Sequence, residues 1–144
     1  MSVHLLDANV LVALLWPAHE HHTRVQDWFS RNQKSGWATC PLTQAAVVRI
    51  LSNPAFSRDA LSVQQALSLL EANIKHPAHH FWRDDISIIA ALSPFKKRLT
   101  GHQQLTDAYL LGLAQYHKGK FATMDRAVMA LADAERQLLP VTLI

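Results

Sequence analysis

The stretch LLDANVLVAL, residues 5–14, places a single carboxylate, that of Asp7, between an apolar run and a segment with the character of an apolar helix. The run VHLLD, residues 3–7, is suited to a buried strand, and the helical segment continues to Pro17, which ends it. A charge at such a junction is costly to bury unless another group compensates it. Asp7 is therefore the first candidate for a functional residue.

Strand and helix signals alternate along the rest of the chain. Further strands are predicted at residues 36–40, 80–82, 119–125 and 141–144. Further helices are predicted at residues 20–31, 44–51, 57–73, 86–92, 105–118 and 126–133. Thr43 is expected to cap the helix at 44–51, and Asp84 or Asp85 the helix at 86–92. This order favours an α/β fold with a central, mostly parallel sheet of about four to five strands, covered by helices on both faces.

Composition limits the possible classes of protein. The chain has 144 residues, of which 49% are hydrophobic and 17% charged, a balance typical of a globular core and not of disorder. No repeat or linker divides it, so residues 1–144 are predicted to form a single domain. Cys40 is the only cysteine, and there is neither a signal peptide nor a long apolar run. We therefore expect a cytoplasmic protein without a membrane segment or an internal disulfide.

Other kinds of active site find no support in the sequence. With only four glycines, the chain contains no GxGxxG, GxxxxGK[ST] or GxSxG motif. The histidine-rich segments at residues 19–22 and 76–80 lack the HExxH spacing of a zinc site, and we interpret them as turns and polar helix surface. Cys40 has no evident His and Asn partners, so a buried structural thiol is the better interpretation.

Two acids follow predicted strands. Asp7 ends the first strand and Asp125 ends the strand at 119–125, and ligands of open parallel sheets bind at this carboxyl edge. Asp107 begins the helix at 105–118, where the same loop level can bring it close to both. Asp107 and Asp125 can equally be ordinary helix caps, an alternative that spacing leaves open.

Three such carboxylates would repel one another, since like charges a few ångströms apart raise each other's pKa. A divalent cation resolves this repulsion, and ligation by oxygen alone favours Mg²⁺ or Mn²⁺. Water acidified by such a metal is a nucleophile for a phosphodiester. The acids therefore suggest a metal-dependent hydrolase.

Four motifs carry a resemblance to a known family: LLDANVLVALL at 5–15, PLTQAAVVRILSNP at 41–54, GHQQLTDAYLLGLA at 101–114 and FATMDRAV at 121–128. They occur in the order seen in PIN-domain proteins, and nearly the whole chain resembles that family. More narrowly, it resembles the VapC-type ribonuclease toxins of bacterial type II toxin–antitoxin pairs. The resemblance implies a three-layer α/β/α sandwich, a Mg²⁺- or Mn²⁺-dependent endoribonuclease, a cognate antitoxin and a homodimer.

The same resemblance assigns roles to six residues. It implies that three acids hold the metal and that three small polar residues beside them orient the carboxylates and water. The acids are Asp7, Asp107 and Asp125, and the polar residues are Asn9, Thr106 and Thr123.

One position departs from the family pattern. Gln44 stands where PIN domains usually carry a glutamate, and an amide supplies neither negative charge nor a base. The explanations that remain open are a subgroup in which glutamine suffices, an inactive site, or a compensating acid elsewhere. Asp84 and Asp85, in FWRDDIS, are candidates for that acid, and a helix cap is their alternative role.

Basic residues give a candidate surface for RNA. The run FKKRL leads into the acidic loop, and its basic side chains are suited to contact phosphates without reading bases. The net charge of +3 mildly favours a polyanionic partner such as RNA. The candidates are Arg49, Lys96, Lys97, Arg98, Lys118 and Lys120, with His102 as a contact to RNA or a simple loop residue. For the antitoxin, we expect the helices at 10–16 and 20–29 to offer apolar surface through Trp16, Trp28 and Phe29, with a place in the core as the alternative role of these aromatics.

Two functions from different classes remain. The first is a metal-dependent endoribonuclease toxin, and the second is a PIN-like module that binds RNA or protein without cleaving, which Gln44 keeps open. Another metal-dependent hydrolytic or phosphoryl-transfer enzyme is a third, more distant alternative.

Overall fold

A computed structural model describes residues 2–132 and 141–144 of the chain. Its centre is a sheet of five strands: β1 (His4–Leu6), β2 (Trp37–Thr39), β3 (His79–Phe81), β4 (Lys120–Thr123) and β5 (Val141–Leu143). The strands lie in the order β3-β2-β1-β4-β5, and each adjacent pair is parallel. The predicted parallel sheet is thereby confirmed, with β1 at its centre.

Six α-helices lie in the described part of the chain: α1 (Ala8–Leu15), α2 (His22–Asn32), α3 (Pro41–Leu51), α4 (Val63–Asn73), α5 (Ile88–Leu92) and α6 (Leu105–Tyr116). Short 3₁₀ helices add to them at Gln33–Ser35, Ser93–Arg98, His102–Gln104 and Arg126–Ala130. Among the residues described, no helix has the length and apolar character needed to cross a membrane.

Two hydrophobic cores lie on opposite faces of the sheet. Successive side chains of a strand point to opposite faces, so Leu5 joins the core beneath α5 and α6 while Leu6 joins the core beneath α1 to α4. The same alternation in β4 sends Phe121 to the first core and Ala122 to the second. The chain is therefore a three-layer α/β/α sandwich, as predicted.

The predicted start of α3 was wrong. The helix begins at Pro41, three residues earlier than expected, because proline fits the first helical position, where its missing N–H is not needed. Cys40 is the residue before the helix, and its backbone N–H donates to Oγ1 of Thr43 at 3.0 Å. Thr43 thus supports the helix start from inside the first turn instead of preceding the helix.

The next two helix starts also differ from prediction. Residues 57–62 are not helical, and α4 begins after Ser62, whose hydroxyl accepts from the Gln65 N–H while the Gln65 side chain accepts from the Ser62 N–H. In α5 the cap is Ser87, which accepts from the Ala90 N–H at 3.1 Å. Asp84 and Asp85 do not cap this helix, because a serine stands closer to its first turn.

The helix predicted at 126–133 is a 3₁₀ helix over Arg126–Ala130, and residue 133 lies outside the described residues. Asp125 caps it, since Oδ1 accepts from the Ala127 N–H at 2.9 Å. The alternative of a capping role for Asp125 is thereby confirmed, although a cap can also bind a ligand through its second oxygen.

Helices α5 and α6 approach closely at Gly112. A Cβ atom added there would lie 2.2 Å from the backbone oxygen of Ala91, so only glycine permits this contact. Because α6 carries Asp107, the packing of α5 helps to set the position of that acid.

We expect Gly112→Ala to destabilise the protein by about 1–3 kcal/mol, since α5 must move away to admit the methyl group. Chemical denaturation with a two-state fit measures this loss. Gly101→Ala is the control, because nothing lies within 4 Å of its added Cβ. Equal stability of the two variants would show that α5 and α6 do not need the close contact.

Candidate active site

The central strands bring two acids to one edge of the sheet. Asp7 directly follows β1, and Asp125 follows β4, the neighbour of β1 in which Ala122 is paired with Leu6. The backbone N–H of Asp7 donates to the carbonyl of Ala122 at 2.9 Å, so the ladder continues as far as the acid. The position of Asp7 is therefore fixed by the sheet itself.

A single threonine links the two strand ends. The Thr123 hydroxyl donates to Oδ2 of Asp7 at 2.7 Å and accepts from the Asp125 N–H at 3.0 Å. Thr123 is fully buried and Asp7 is only 8% exposed, so this charge-assisted hydrogen bond forms largely away from water. It orients the Asp7 carboxylate and places Asp125 beside it.

Asp107 completes the group from α6, which packs against β1 and β4. Burial, followed by the negative charges of Asp7 and Asp125, raises the pKa of Asp107 to about 6. Burial is also the main cause that raises the pKa of Asp7, and the Asp125 charge adds to it, although the Thr123 hydrogen bond acts in the opposite direction. The charges of Asp7 and Asp125 therefore reach Asp107, and the charge of Asp125 reaches Asp7.

These carboxylates suit a divalent cation in donor type and charge. They are oxygen donors, which Mg²⁺ and Mn²⁺ prefer, and a cation would offset both the burial and the neighbouring negative charges that raise the pKa of Asp107. Within residues 2–132 and 141–144, however, no three Asp, Glu, His or Cys side chains already stand close enough to hold an ion. Binding would require the carboxylates to draw together, and Asp125, exposed and tied only through Oδ1, has the freedom to do so.

Asn9 and Thr106 lie beside the acids on the surface. Asn9 is exposed in the first turn of α1, and Thr106 is exposed in the first turn of α6, directly before Asp107. Their roles in positioning water or carboxylates stay predictions, in contrast to Thr123, whose hydrogen bond to Asp7 is present.

Gln44 lies in the first turns of α3 and contacts the end of β2. Its Nε2 donates to Oγ1 of Thr39 at 2.9 Å, and Thr39 Oγ1 lies 2.8 Å from Nε2 of His79. Burial lowers the pKa of His79, which favours a neutral ring able to accept the threonine proton. The Gln44 amide is thus part of a chain of neutral polar groups, which the sequence did not predict. The available signal was the position of Thr39, which lies at the end of β2, much as Asp7 directly follows β1.

Asp84 and Asp85 have other partners. The Tyr109 hydroxyl donates to Oδ1 of Asp84 at 2.6 Å, and Oδ1 of Asp85 lies 3.9 Å from Nε2 of His117. Burial and the Asp84 carboxylate raise the pKa of Tyr109, which keeps its hydroxyl as a donor. A compensating metal ligand at either acid stays a prediction. Sequence reasoning gave Tyr109 no role, because nothing in its spacing indicates a partner 25 residues away.

The basic candidates divide into two kinds. Arg98 is held by carbonyl groups, since Nε donates to Leu131 at 2.7 Å and Nη2 donates to Pro94 at 3.2 Å. These hydrogen bonds engage two of the guanidinium nitrogens, and a contact of Arg98 with phosphates stays a prediction. Exposed side chains remain at Arg49, Lys96, Lys97 and His102, for which contact with RNA stays a prediction.

The histidine-rich segments are engaged within the fold. His22 Nδ1 lies 2.7 Å from the Ala13 carbonyl, and His76 Nδ1 accepts from the Trp37 indole N–H at 3.2 Å. Cys40 is buried, and burial raises the pKa of its thiol, which agrees with a structural role.

The aromatic residues expected to face an antitoxin pack within the chain. Trp16 contacts Phe56 edge-on, Trp28 contacts His4, and Phe29 contacts Trp37, so each is half-buried. In α1 the run from Val10 to Ala13 is buried in the core beneath the sheet. Contact of this helix with an antitoxin stays a prediction, and its half-buried apolar residues, Leu14, Leu15 and Trp16, lie at its C-terminal end.

The chain is thus an α/β protein whose parallel sheet carries Asp7 and Asp125 at its carboxyl edge, with Asp107 of α6 within reach of their charges. The model of the PIN domain matches residues 4–134. Ribonuclease VapC38 of Mycobacterium tuberculosis is 41% identical over 140 residues, which cover 97% of this chain and 96% of the relative. Ribonuclease VapC39 of the same species is 38% identical over 130 residues, covering 90% and 94% of the two chains. The chain therefore belongs to the PIN-domain family and, within it, to the VapC group.

Solved structures agree on the fold. PAE2754 from Pyrobaculum aerophilum has a TM-score of 0.60 at 19% identity, over 92% of this chain and 81% of its own. VapBC2 from Rickettsia felis, solved bound to a DNA fragment from the promoter, has a TM-score of 0.56 at 11% identity. The match covers 85% of this chain and 87% of the other.

In the metal-free protein, we expect the Asp107 carboxyl to titrate near its pKa of about 6, well above the ordinary value of 3.8. Because the folded state then holds this proton more tightly than the unfolded state, stability should fall as the pH rises from about 4 to 6. Asp7→Asn removes a neighbouring charge and should lower the Asp107 pKa. Carboxyl-carbon NMR measures both midpoints, with Asp59→Asn as the control. An Asp107 midpoint that Asp7→Asn leaves unchanged would mean that the acids do not interact.

Proposed function

We propose that the chain, acting through residues 1–144 as one PIN-like domain, is a Mg²⁺- or Mn²⁺-dependent endoribonuclease that hydrolyses RNA phosphodiester bonds. The observation that carries this proposal is the placement of Asp7, Asp107 and Asp125 at the carboxyl edge of the sheet, where burial, followed by the charges of Asp7 and Asp125, raises the pKa of Asp107. Relatives that are called ribonucleases support it. The activity is that of the toxin in a toxin–antitoxin pair.

Asp7, Asp107 and Asp125 would hold the cation. When bound, a divalent cation supplies an acidified water as nucleophile and neutralises charge that develops on the phosphodiester. Asp7 is oriented for this role by Thr123, whose hydroxyl donates to Oδ2. Asp107 must lose its proton before it can bind a metal, so activity should decline below pH 6.

The side chains around the acids have supporting roles. Asn9 and Thr106 lie exposed in the first turns of their helices and can hydrogen-bond to water or to a phosphate oxygen. Gln44 acts in this proposal through its hydrogen bond to Thr39, which holds the end of β2, and adds no charge. Arg49, Lys96, Lys97 and His102 would position the phosphate backbone by charge and hydrogen bonding.

The proposed partners are RNA, a cognate antitoxin and a second copy of the chain in a homodimer, all in the cytoplasm. A ribonuclease in the cell must be restrained, and an antitoxin that sends a polar or cationic group toward the carboxylates would compete with the metal. The VapBC2 protein from Rickettsia felis is a structural relative solved with promoter DNA. Two-fold symmetry is the commonest form of homo-oligomer.

A second candidate function is a module that binds RNA or protein without cleaving it. Gln44 favours it, because the amide is engaged with Thr39 and a fourth negative charge is missing from this position. The same fold and the same basic residues would then serve for binding alone.

We expect the purified protein to cleave RNA with Mg²⁺ or Mn²⁺ and to lose the activity in EDTA. Asp7→Asn should reduce the rate about 100-fold or more, because losing a metal ligand removes several kcal/mol of transition-state stabilisation. A gel assay on labelled single-stranded RNA measures this, with Asp59→Asn as the control. RNA binding without cleavage at any metal concentration would support the binding module instead. Cleavage that persists in EDTA and in Asp7→Asn would contradict the metal site.

If Gln44 leaves the cation with too little negative charge, Gln44→Glu should lower the Mn²⁺ concentration needed for half-maximal cleavage by roughly tenfold. Gln44→Ala should have little effect on the metal requirement if the amide is not a ligand. Gln64→Glu adds the same charge on the exposed surface of α4 and is the control. A metal requirement that Gln44→Glu does not change would show that the charge at this position is not limiting.

A further inference from the structure

A cleft beside the carboxylates has, apart from Thr106, no role in the proposed hydrolysis. Its volume is about 320 Å³, and residues of α3, α5, α6 and the segment after β3 surround it. The lining residues that matter are Leu42, Asp84, Ile88, Leu105, Thr106 and Tyr109. Thr106 directly precedes Asp107, so the cleft borders the acids along α6.

The walls of the cleft are apolar and open to solvent. The exposed fractions of Leu42, Ile88 and Leu105 are 42%, 52% and 44%, which is unusual for three neighbouring large aliphatic side chains. Such walls can cover the faces of a flat ring. The cleft is small for a protein segment and lies in the size range of a small-ligand site.

Asp84 is the acidic residue of the cleft. Its carboxylate is exposed, but the Tyr109 hydroxyl donates to Oδ1 at 2.6 Å and holds the group in one orientation. Tyr109 is itself only 6% exposed and is packed in the core beneath α5 and α6. The two carboxylate oxygens of Asp84 are therefore a fixed pair of hydrogen-bond acceptors between apolar walls. This arrangement suits a planar ligand with two adjacent donors.

We propose that this cleft binds a guanine base of the RNA substrate, next to the phosphodiester that is cleaved. The proposal rests on the proposed function and names a determinant of its specificity. Asp84 accepts from the base, Tyr109 positions Asp84, and the aliphatic walls contact the faces of the ring. RNA-binding proteins commonly read unstacked bases by such contacts to their edges and faces.

Guanine is the base that matches a carboxylate. Its Watson–Crick edge carries two adjacent donors, N1–H and the N2 amino group, which can meet the two oxygens of Asp84. Adenine and cytosine each place a ring-nitrogen acceptor beside their amino group, and uracil places a carbonyl on either side of its single N–H. Each of these acceptors would face a carboxylate oxygen at a cost, as an unmatched polar contact does.

The charge of Asp84 also argues for a base and against a phosphate. A carboxylate repels phosphate oxygens, so an acid beside the cleavage site weakens binding of a polyanion unless it receives hydrogen bonds from the ligand. The neighbouring Tyr109 hydroxyl already occupies one lone pair of Oδ1, which leaves the remaining acceptor sites for the base.

The test is binding of short single-stranded RNA in EDTA, where no cleavage can occur. Fluorescence anisotropy compares two oligouridines that carry either one guanosine or one inosine, which lacks the N2 amino group. The wild type should bind the guanosine oligonucleotide roughly tenfold more tightly. Asp84→Asn should bind the two equally, and Tyr109→Phe should reduce the discrimination because Asp84 loses its fixed orientation. Asp59→Asn, an exposed acid outside the cleft, should discriminate as the wild type does.

Equal binding of the two oligonucleotides by the wild type would overturn the proposal, and so would full discrimination by Asp84→Asn. A loss of Mn²⁺ affinity in Asp84→Asn would make Asp84 a metal ligand and would also overturn it. The wild-type comparison stays decisive if a variant fails to fold. Because binding is measured without metal, absence of cleavage in a separate assay with Mg²⁺ would contradict the proposed function and leave this result standing.

Discussion

The hydrogen bond from the Thr123 hydroxyl to the Asp7 carboxylate holds the acidic edge of the sheet together. It joins the ends of two neighbouring parallel strands and keeps a nearly buried negative charge next to Asp125. α6, closely packed on α5 through Gly112, adds Asp107 to the same edge. Burial, followed by the charges of Asp7 and Asp125, raises the pKa of Asp107, and a divalent cation would offset this cost to the metal-free protein.

Much of this arrangement could be predicted from the sequence because it follows from local patterns. Asp7 and Asp125 lie after apolar strands, and parallel strands must place their carboxyl ends together, so their proximity follows from topology. Helix starts were harder to predict, because Ser62 and Ser87 compete with nearby residues as caps and the spacing does not decide between them. Contacts between distant side chains, such as that between Asp84 and Tyr109, depend on tertiary packing and leave no local signal.

Gln44 shows how one substitution changes the interpretation of a site. In the family pattern a glutamate stands here, whereas this chain places an amide that donates to Thr39 and, through it, reaches His79. A neutral chain of hydrogen bonds at the end of β2 costs less to bury than a carboxylate at the same position would. This chain is 41% identical to the ribonuclease VapC38, but overall identity does not fix the chemistry of a single position. A glutamine at position 44 can therefore change the metal requirement within the same family.

The most direct test of this account is calorimetric titration of the protein with Mn²⁺ at pH 5 and at pH 7.5. If the three carboxylates hold the ion, binding should be weaker at pH 5, because Asp107, with its pKa of about 6, must then release a proton. Titration near pH 6 in two buffers of different ionisation enthalpy should reveal that proton. Affinity that is independent of pH, or binding that survives Asp7→Asn unchanged, would contradict the central claim that these acids form one metal site.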